Sequence, residues 1–171
     1  LLFSGLAGED FTPSELIRRG DFHRARKEYT LAVRAYWQAA LLLPESPLPP
    51  LRVGEVYLAQ GRYDLAESAL LLAGRLAPEG SWPARQVGLA LAEVYTALGN
   101  CPRAEALLKE ILALDQADWE AHLLLGKVYI SCGEFDKAAG DLLAALELNP
   151  ESQQAHYRLG LLLAVEAIGE G

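Results

Sequence analysis

The side chains able to do chemistry in this 171-residue chain are three histidines, two cysteines and a scatter of carboxylates. His122 and His156 lie 34 positions apart, at equivalent places in a repeating pattern, and His23 also falls on a repeated position. Recurrence of that kind reads as packing, not as a ligand set. Cys101 and Cys132 form no CxxC pair and occupy non-equivalent positions in different segments. A disulfide needs Cα atoms within about 7 Å, so the expectation is two buried, reduced thiols and a reducing compartment. Glu134, Asp136, Asp141, Glu147 and Glu151 are spread as solvated charges are. No GxSxG, HExxH, Walker or GxGxxG pattern occurs. An enzyme needs a convergent cluster of titratable groups, and the sequence offers none, so it calls for no catalytic residue, metal or cofactor.

The elements that carry these residues repeat. Gly20, Gly54, Ala92, Gly126 and Gly160 are small residues at steps of 34, 38, 34 and 34. Tyr57, Tyr95 and Tyr129 follow theirs by three places; Ala32, Ala66, Ala104 and Ala138 follow by twelve. Proline and glycine punctuation divides the chain into helices near 13–26, 29–42, 50–60, 63–76, 84–98, 102–114, 118–131, 135–148 and 152–168. No segment sustains period-two alternation, so no sheet is expected. A period near 34 with two helices per unit marks a stacked helical repeat, each unit burying its apolar face against its neighbours.

His122, Leu125, Gly126, Tyr129, Ala138, Leu142 and Pro150 resemble the tetratricopeptide pattern W-x2-L-G-x2-Y, A-x3-F, P. Val53, Gly54, Tyr57, Ala66, Leu70 and Pro78 repeat it, as do Leu91, Ala92, Tyr95, Ala104 and Leu108. The first unit diverges: Gly20, Ala32, Tyr36 and Pro44 fit, but Arg19 and His23 depart, and Lys27 replaces a turn glycine. The resemblance implies an all-α, right-handed superhelix of four helix-turn-helix repeats and a C-terminal capping helix. The repeats are expected at 13–46, 47–80, 85–118 and 119–152, with an insertion loop at 81–84 carrying Trp82 and a cap at 153–168. Residues 1–12 read as a leader, poorly structured or part of a longer chain.

The resemblance also implies that the first helix of each unit lines a concave groove that holds another chain. Three rows then face it: Ile17, Leu51, Leu89, Leu123 and Tyr157; Asp21, Glu55, Glu93, Lys127 and Leu161; and Arg24, Leu58, Thr96, Ile130 and Ala164. Such a groove is apolar along one stripe and acidic toward its N-terminal half. Some members of the family clamp acidic chaperone tails with Lys, Asn and Arg; carboxylates at Asp21, Glu55 and Glu93 repel such a tail. The reading is a non-catalytic scaffold for an apolar, basic-leaning peptide or helix. The alternatives are a self-associating module, as a homo-oligomer, and the adaptor part of a larger enzyme or secretion machine.

Composition agrees. A net charge of −8 and pI near 4.9 disfavour nucleic acid as a partner. Half the residues are hydrophobic, enough for a continuous core. No uncharged run approaches the roughly 18 residues of a spanning helix, so no membrane insertion is expected. The chain has no Met and opens Leu1-Leu2-Phe3, which suits a processed chain or a portion of a longer one. The compartment expected is the cytoplasm, or an extracytoplasmic or membrane-tethered place if a hydrophobic segment was removed. Ala66→Leu or Ala138→Leu is expected to overpack the helix contact and cost about 1–3 kcal/mol; chemical denaturation showing under about 0.5 kcal/mol counts against this register.

Overall fold

Caps and turn residues cut the chain at nearly regular points. The computed structural model describes residues 11–169, with side chains as far as Ala164, so the expected leader lies outside the described residues except for its last two positions. Within them the chain forms α1 (Pro13–Ala25), α2 (Tyr29–Leu42), α3 (Leu48–Ala59), α4 (Tyr63–Leu76), α5 (Trp82–Ala97), α6 (Cys101–Leu114), α7 (Trp119–Cys132), α8 (Phe135–Leu148) and α9 (Gln153–Gly169), and no strand. Thr12 starts α1 with a reciprocal box: its backbone N–H donates to Glu15 Oε2 at 2.8 Å, and its hydroxyl accepts from the Glu15 amide at 3.3 Å. Asn100 and Asp118 cap α6 and α7 without the reciprocal bond, their side-chain oxygens accepting from the Arg103 and Ala121 amides.

Inside each pair the turn needs one left-handed residue. Gly61, Gly99 and Gly133 supply it with φ of 69°, 73° and 75°, and in the first pair Lys27 takes it at 59°. A side chain in that region costs about 1–2 kcal/mol, which the first repeat carries in place of a glycine.

Two boundaries differ from the sequence expectation. α3 starts at Leu48 and takes Pro49 and Pro50 into its first turn, where their missing N–H groups would have no helical partner anyway. The four extra residues before the third repeat do not form a loop at 81–84. Ser81 caps α5, accepting from the Ala84 amide at 3.4 Å, and Pro83 sits in the first turn, so residues 82–84 lengthen the helix. Trp82 is exposed, but it stands on helix.

Successive helices pack antiparallel. α3, α5, α7 and α9 also pack on one another as an inner layer, while α2, α4, α6 and α8 form the outer one. Residue size sets the spacing within each pair. A Cβ added at Gly54 would lie 2.5 Å from Leu70 Cγ, and one at Gly126 would lie 2.6 Å from Leu142 Cγ. Gly20 receives Tyr36 in the same manner. Ala32, Ala66, Ala104 and Ala138 face the inner helices with no exposed surface. Tyr95 and Tyr129 fill the seam to the preceding repeat and donate their hydroxyls to Glu67 and Glu105, each at 2.9 Å.

The cysteines correct the sequence expectation. Cys101 and Cys132 form a disulfide with Cα atoms 6.4 Å apart. The positions are non-equivalent, yet antiparallel packing of α6 and α7 brings the start of one beside the end of the other. Equivalence along the sequence was the wrong measure of proximity for an antiparallel neighbour.

Close approach at one glycine and open space at another give opposite expectations. Gly126→Ala should cost about 1–3 kcal/mol by forcing Leu142 aside. Gly140→Ala, in α8 with nothing within 4 Å, should stabilise by up to about 1 kcal/mol. Urea denaturation of both variants checks the pair of signs.

Candidate functional site

The inner helices build the groove because each repeat contributes one of them in the same register, stacking equivalent residues side by side. Over α3, α5, α7 and the turn before α9 the groove widens into a cavity of about 570 Å³. Leu89, Ala90 and Leu123 give it an apolar floor, and Leu58, Leu124 and Trp119 stand as its apolar walls. Glu55, Glu93, Glu120 and Glu151 supply carboxylates, while Gln86, Asn149, Gln153 and Gln154 supply amides.

Of the residues expected in the groove, the cavity brings together Glu55, Leu58, Leu89, Glu93 and Leu123. Leu51 is fully buried in the core and offers a ligand no surface, and Leu89 and Leu123 keep only 8% and 7% of theirs. Ile17, Asp21 and Arg24 lie to the N-terminal side of the cavity; Tyr157 and Leu161 lie beyond it, both exposed. Thr96, half-buried, donates its hydroxyl to the Ala92 carbonyl at 2.6 Å, which satisfies it within its own helix. Ile130 is half-buried against the core.

The acidic row is already paired. Glu55 accepts from Arg24 at 2.5 Å and from Arg52 at 3.0 Å. Asp21 accepts the Tyr36 hydroxyl at 2.7 Å and lies 4.0 Å from Arg52. Burial, and then that carboxylate, push the Tyr36 phenol well above its ordinary range. Lys127 donates to Glu93 at 3.2 Å, joining α7 to α5 across the groove. Arg85 forks onto Asp118 at 2.5 and 2.7 Å and reaches Glu120 at 2.6 Å, tying α5 to α7 at the rim.

The histidines hold turns. His122 donates Nε2–H to the Gln116 carbonyl at 3.3 Å and meets Asp141 through Nδ1 at 2.7 Å; His156 donates to the Pro150 carbonyl at 2.9 Å. His23 pairs with Glu28 at 2.7 Å.

The three rows read from the sequence omit Gln86, Glu120 and Gln154, although the signal is present: these recur at the same step of 34, three residues before Leu89, Leu123 and Tyr157. Nothing comparable flags Asn149 and Glu151, which enter from a turn.

A second surface is apolar. Trp37, Leu41, Leu43, Leu72 and Leu76 line a cleft of about 440 Å³ between the outer helices α2 and α4, with Leu41 exposed at 81%.

Comparison with known proteins agrees with this geometry. A family model described as tetratricopeptide repeat matches residues 14–81 and 89–144, and a second, described as TPR repeat, matches 126–164. No curated protein sequence matches the chain. Among solved structures, a chain of the APC/C hetero-tetramer Cut9-Hcn1 superposes with a TM-score of 0.78 at 22% identity; 90% of this chain covers only 30% of that one. TTC0263, a thermophilic TPR protein of Thermus thermophilus, gives 0.76 at 24% identity, over 89% of this chain and 81% of that one. YrrB, described as a TPR protein with an unusual peptide-binding site, gives 0.65 at 22% identity, over 90% and 77%. These likenesses are of fold. The chain belongs to the tetratricopeptide repeat family, whose solenoid is generally a non-catalytic scaffold for protein interaction.

The Arg85–Asp118 tie carries a pH dependence. Burial alone would raise the Asp118 carboxyl, but the Arg85 fork and the Ala121 amide outweigh it and hold the group below its ordinary value. A depressed carboxylate stabilises the fold above the ordinary value, and that contribution is lost as pH falls through the folded one. Asp118→Asn keeps the cap and loses the charge, so it should cost about 2 kcal/mol at pH 7. The gap to wild type should close below about pH 4, read from urea midpoints across pH 7 to 3.

Proposed function

We propose that the concave groove holds an apolar, basic-leaning peptide or helix and that the chain works as a non-catalytic adaptor. One observation carries this reading: four carboxylates and no Lys or Arg are among the described residues that line the leucine-floored cavity. The apolar floor would take an aliphatic anchor, and the amides of Gln86, Gln153 and Gln154 offer donors and acceptors to an extended backbone. Three of the carboxylates already have cation partners within the chain, so a partner's Lys or Arg would share them. That keeps the expected charge effect to severalfold. An acidic chaperone tail does not suit the same lining.

The apolar cleft of α2 and α4 supports a second reading, self-association through the outer face. Light scattering separates the two: a stable oligomer favours the outer face. The Cys101–Cys132 disulfide supports an oxidising place of work, which argues against the cytoplasm expected from the sequence.

The test is fluorescence anisotropy with a labelled synthetic peptide of alternating leucine and lysine. The paired variant Glu55→Lys, Glu93→Lys should weaken binding severalfold, and Glu151→Lys, at an exposed residue, should weaken it in the same direction without touching an ion pair. Circular dichroism checks folding. Equal affinity for all three proteins would sink the groove reading.

A further inference from the structure

Equivalent places on the outer side carry different residues from one joint to the next. Ala40, Pro50, Leu72 and Leu76 line the cleft between α2 and α4, whose described lining holds no charged side chain. Their counterparts one repeat on are Gly74, Gly88, Glu110 and Leu114, which line a cavity of about 640 Å³ between α4, α5 and α6. One repeat further the counterparts are Leu112, His122, Ala144 and Leu148. There the imidazole of His122 bridges the joint, from the Gln116 carbonyl at 3.3 Å to Asp141 at 2.7 Å.

The middle cavity stays open because two of its walls are bare. α6 and α8 carry leucine where α4 has Gly74, and α7 carries His122 where α5 has Gly88. A Cβ on Gly74 would make an ordinary contact with Val87 Cγ1 at 3.4 Å, so no clash keeps a side chain out of that wall. Val87, Leu91 and Ile111 form a buried base, with Leu107 half-buried beside them. The mouth is acidic. Glu79, Glu110 and Asp115 stand there exposed, without a cation partner among the described residues. Arg85, the one cation of the described lining, is held by Asp118 at 2.5 and 2.7 Å and by Glu120 at 2.6 Å.

We propose that this outer cavity binds a small amphiphilic amine. Its aliphatic chain enters over Val87, Leu91 and Ile111, and its protonated amine stays at the mouth among Glu79, Glu110 and Asp115. The volume lies within the roughly 300–1,000 Å³ of small-molecule sites. Removing the chain from water supplies affinity, and the carboxylates select the sign of the charge. A docking helix needs a long apolar stripe. Here the lip is largely polar and the apolar surface lies mostly inside, unlike the α2–α4 cleft with its exposed Leu41. This site is separate from the concave groove and does not rest on the reading given to it.

The probe is n-octylamine, titrated by isothermal calorimetry into the full chain at pH 7 and below its micelle concentration. It should bind saturably. n-Octanol, with the same tail and no charge, should bind about tenfold more weakly, and octanoate more weakly still. Gly74→Leu gives α4 the residue that α6 and α8 carry at Leu112 and Leu146, and it improves helix propensity. That variant should weaken octylamine at least tenfold. Glu110→Gln should weaken it severalfold, while Glu147→Gln, the same change of charge at an exposed place on α8, should leave it unchanged. Circular dichroism checks folding. Three results overturn the proposal. One is no saturable uptake of octylamine. Another is affinity unmoved by Gly74→Leu, which would assign the amine to the acidic surface at large or to the groove. The third is octanol bound as tightly as octylamine, which would leave the carboxylates no part in selection.

Discussion

Everything in this solenoid depends on how closely two helices of a pair can approach. At Gly54 and Gly126 the inner helix has no side chain, and the leucine sixteen residues later occupies the space. Tyr36 does the same over Gly20, and Ala92 and Leu108 are both fully buried in one cluster. That approach fixes where each inner helix lies, and the inner helices are the groove. It also explains why Leu51, Leu89 and Leu123 are so little exposed: tight pairs leave the leucine row at the floor. Surface for a partner then comes from the walls, at Leu58, Leu124, Trp119 and the amides.

The joints between repeats are tied unequally. Between the third and fourth repeats the chain places the disulfide, the Arg85 fork onto Asp118 and Glu120, the Lys127–Glu93 pair and the Tyr129–Glu105 hydrogen bond. Between the first and second, Arg24 and Arg52 gather Glu55 and Asp21, and Val33 holds the place before Tyr57 that Glu105 holds before Tyr129. Exposed ion pairs add little each, but a disulfide and a buried fork hold one geometry. The cavity spans this firmly tied joint and reaches beyond it, from Glu55 on α3 to Gln154 on α9.

The fold was legible because one packing contact recurs. Small residues at a step of 34, with tyrosine three places on and alanine twelve on, specify which faces touch, and helix ends follow from Pro, Gly and caps. What recurrence does not encode was hidden. The disulfide joins unlike positions across antiparallel helices. The extra residues near Trp82 read as loop by length alone, whereas Ser81 and Pro83 give them a helix start. The expected groove rows rest on register, and register gives direction without depth: it could not separate Leu51, fully buried, from Leu58 on the wall. The cation partners of Glu55 and Glu93 were likewise hidden. Arg24 and Lys127 stood in the rows without their pairing, and Arg52 lies one residue outside them.

The central claim is that the concave side is the working side. A photo-reactive benzophenone side chain placed at Gln86 or Gln154 on the cavity rim, and separately at exposed Gln38 on α2, tests it in the native host. Adducts to the same partner protein from Gln86 and Gln154, with none from Gln38, are the predicted result. Adducts from Gln38 alone would contradict the claim and move the function to the outer face.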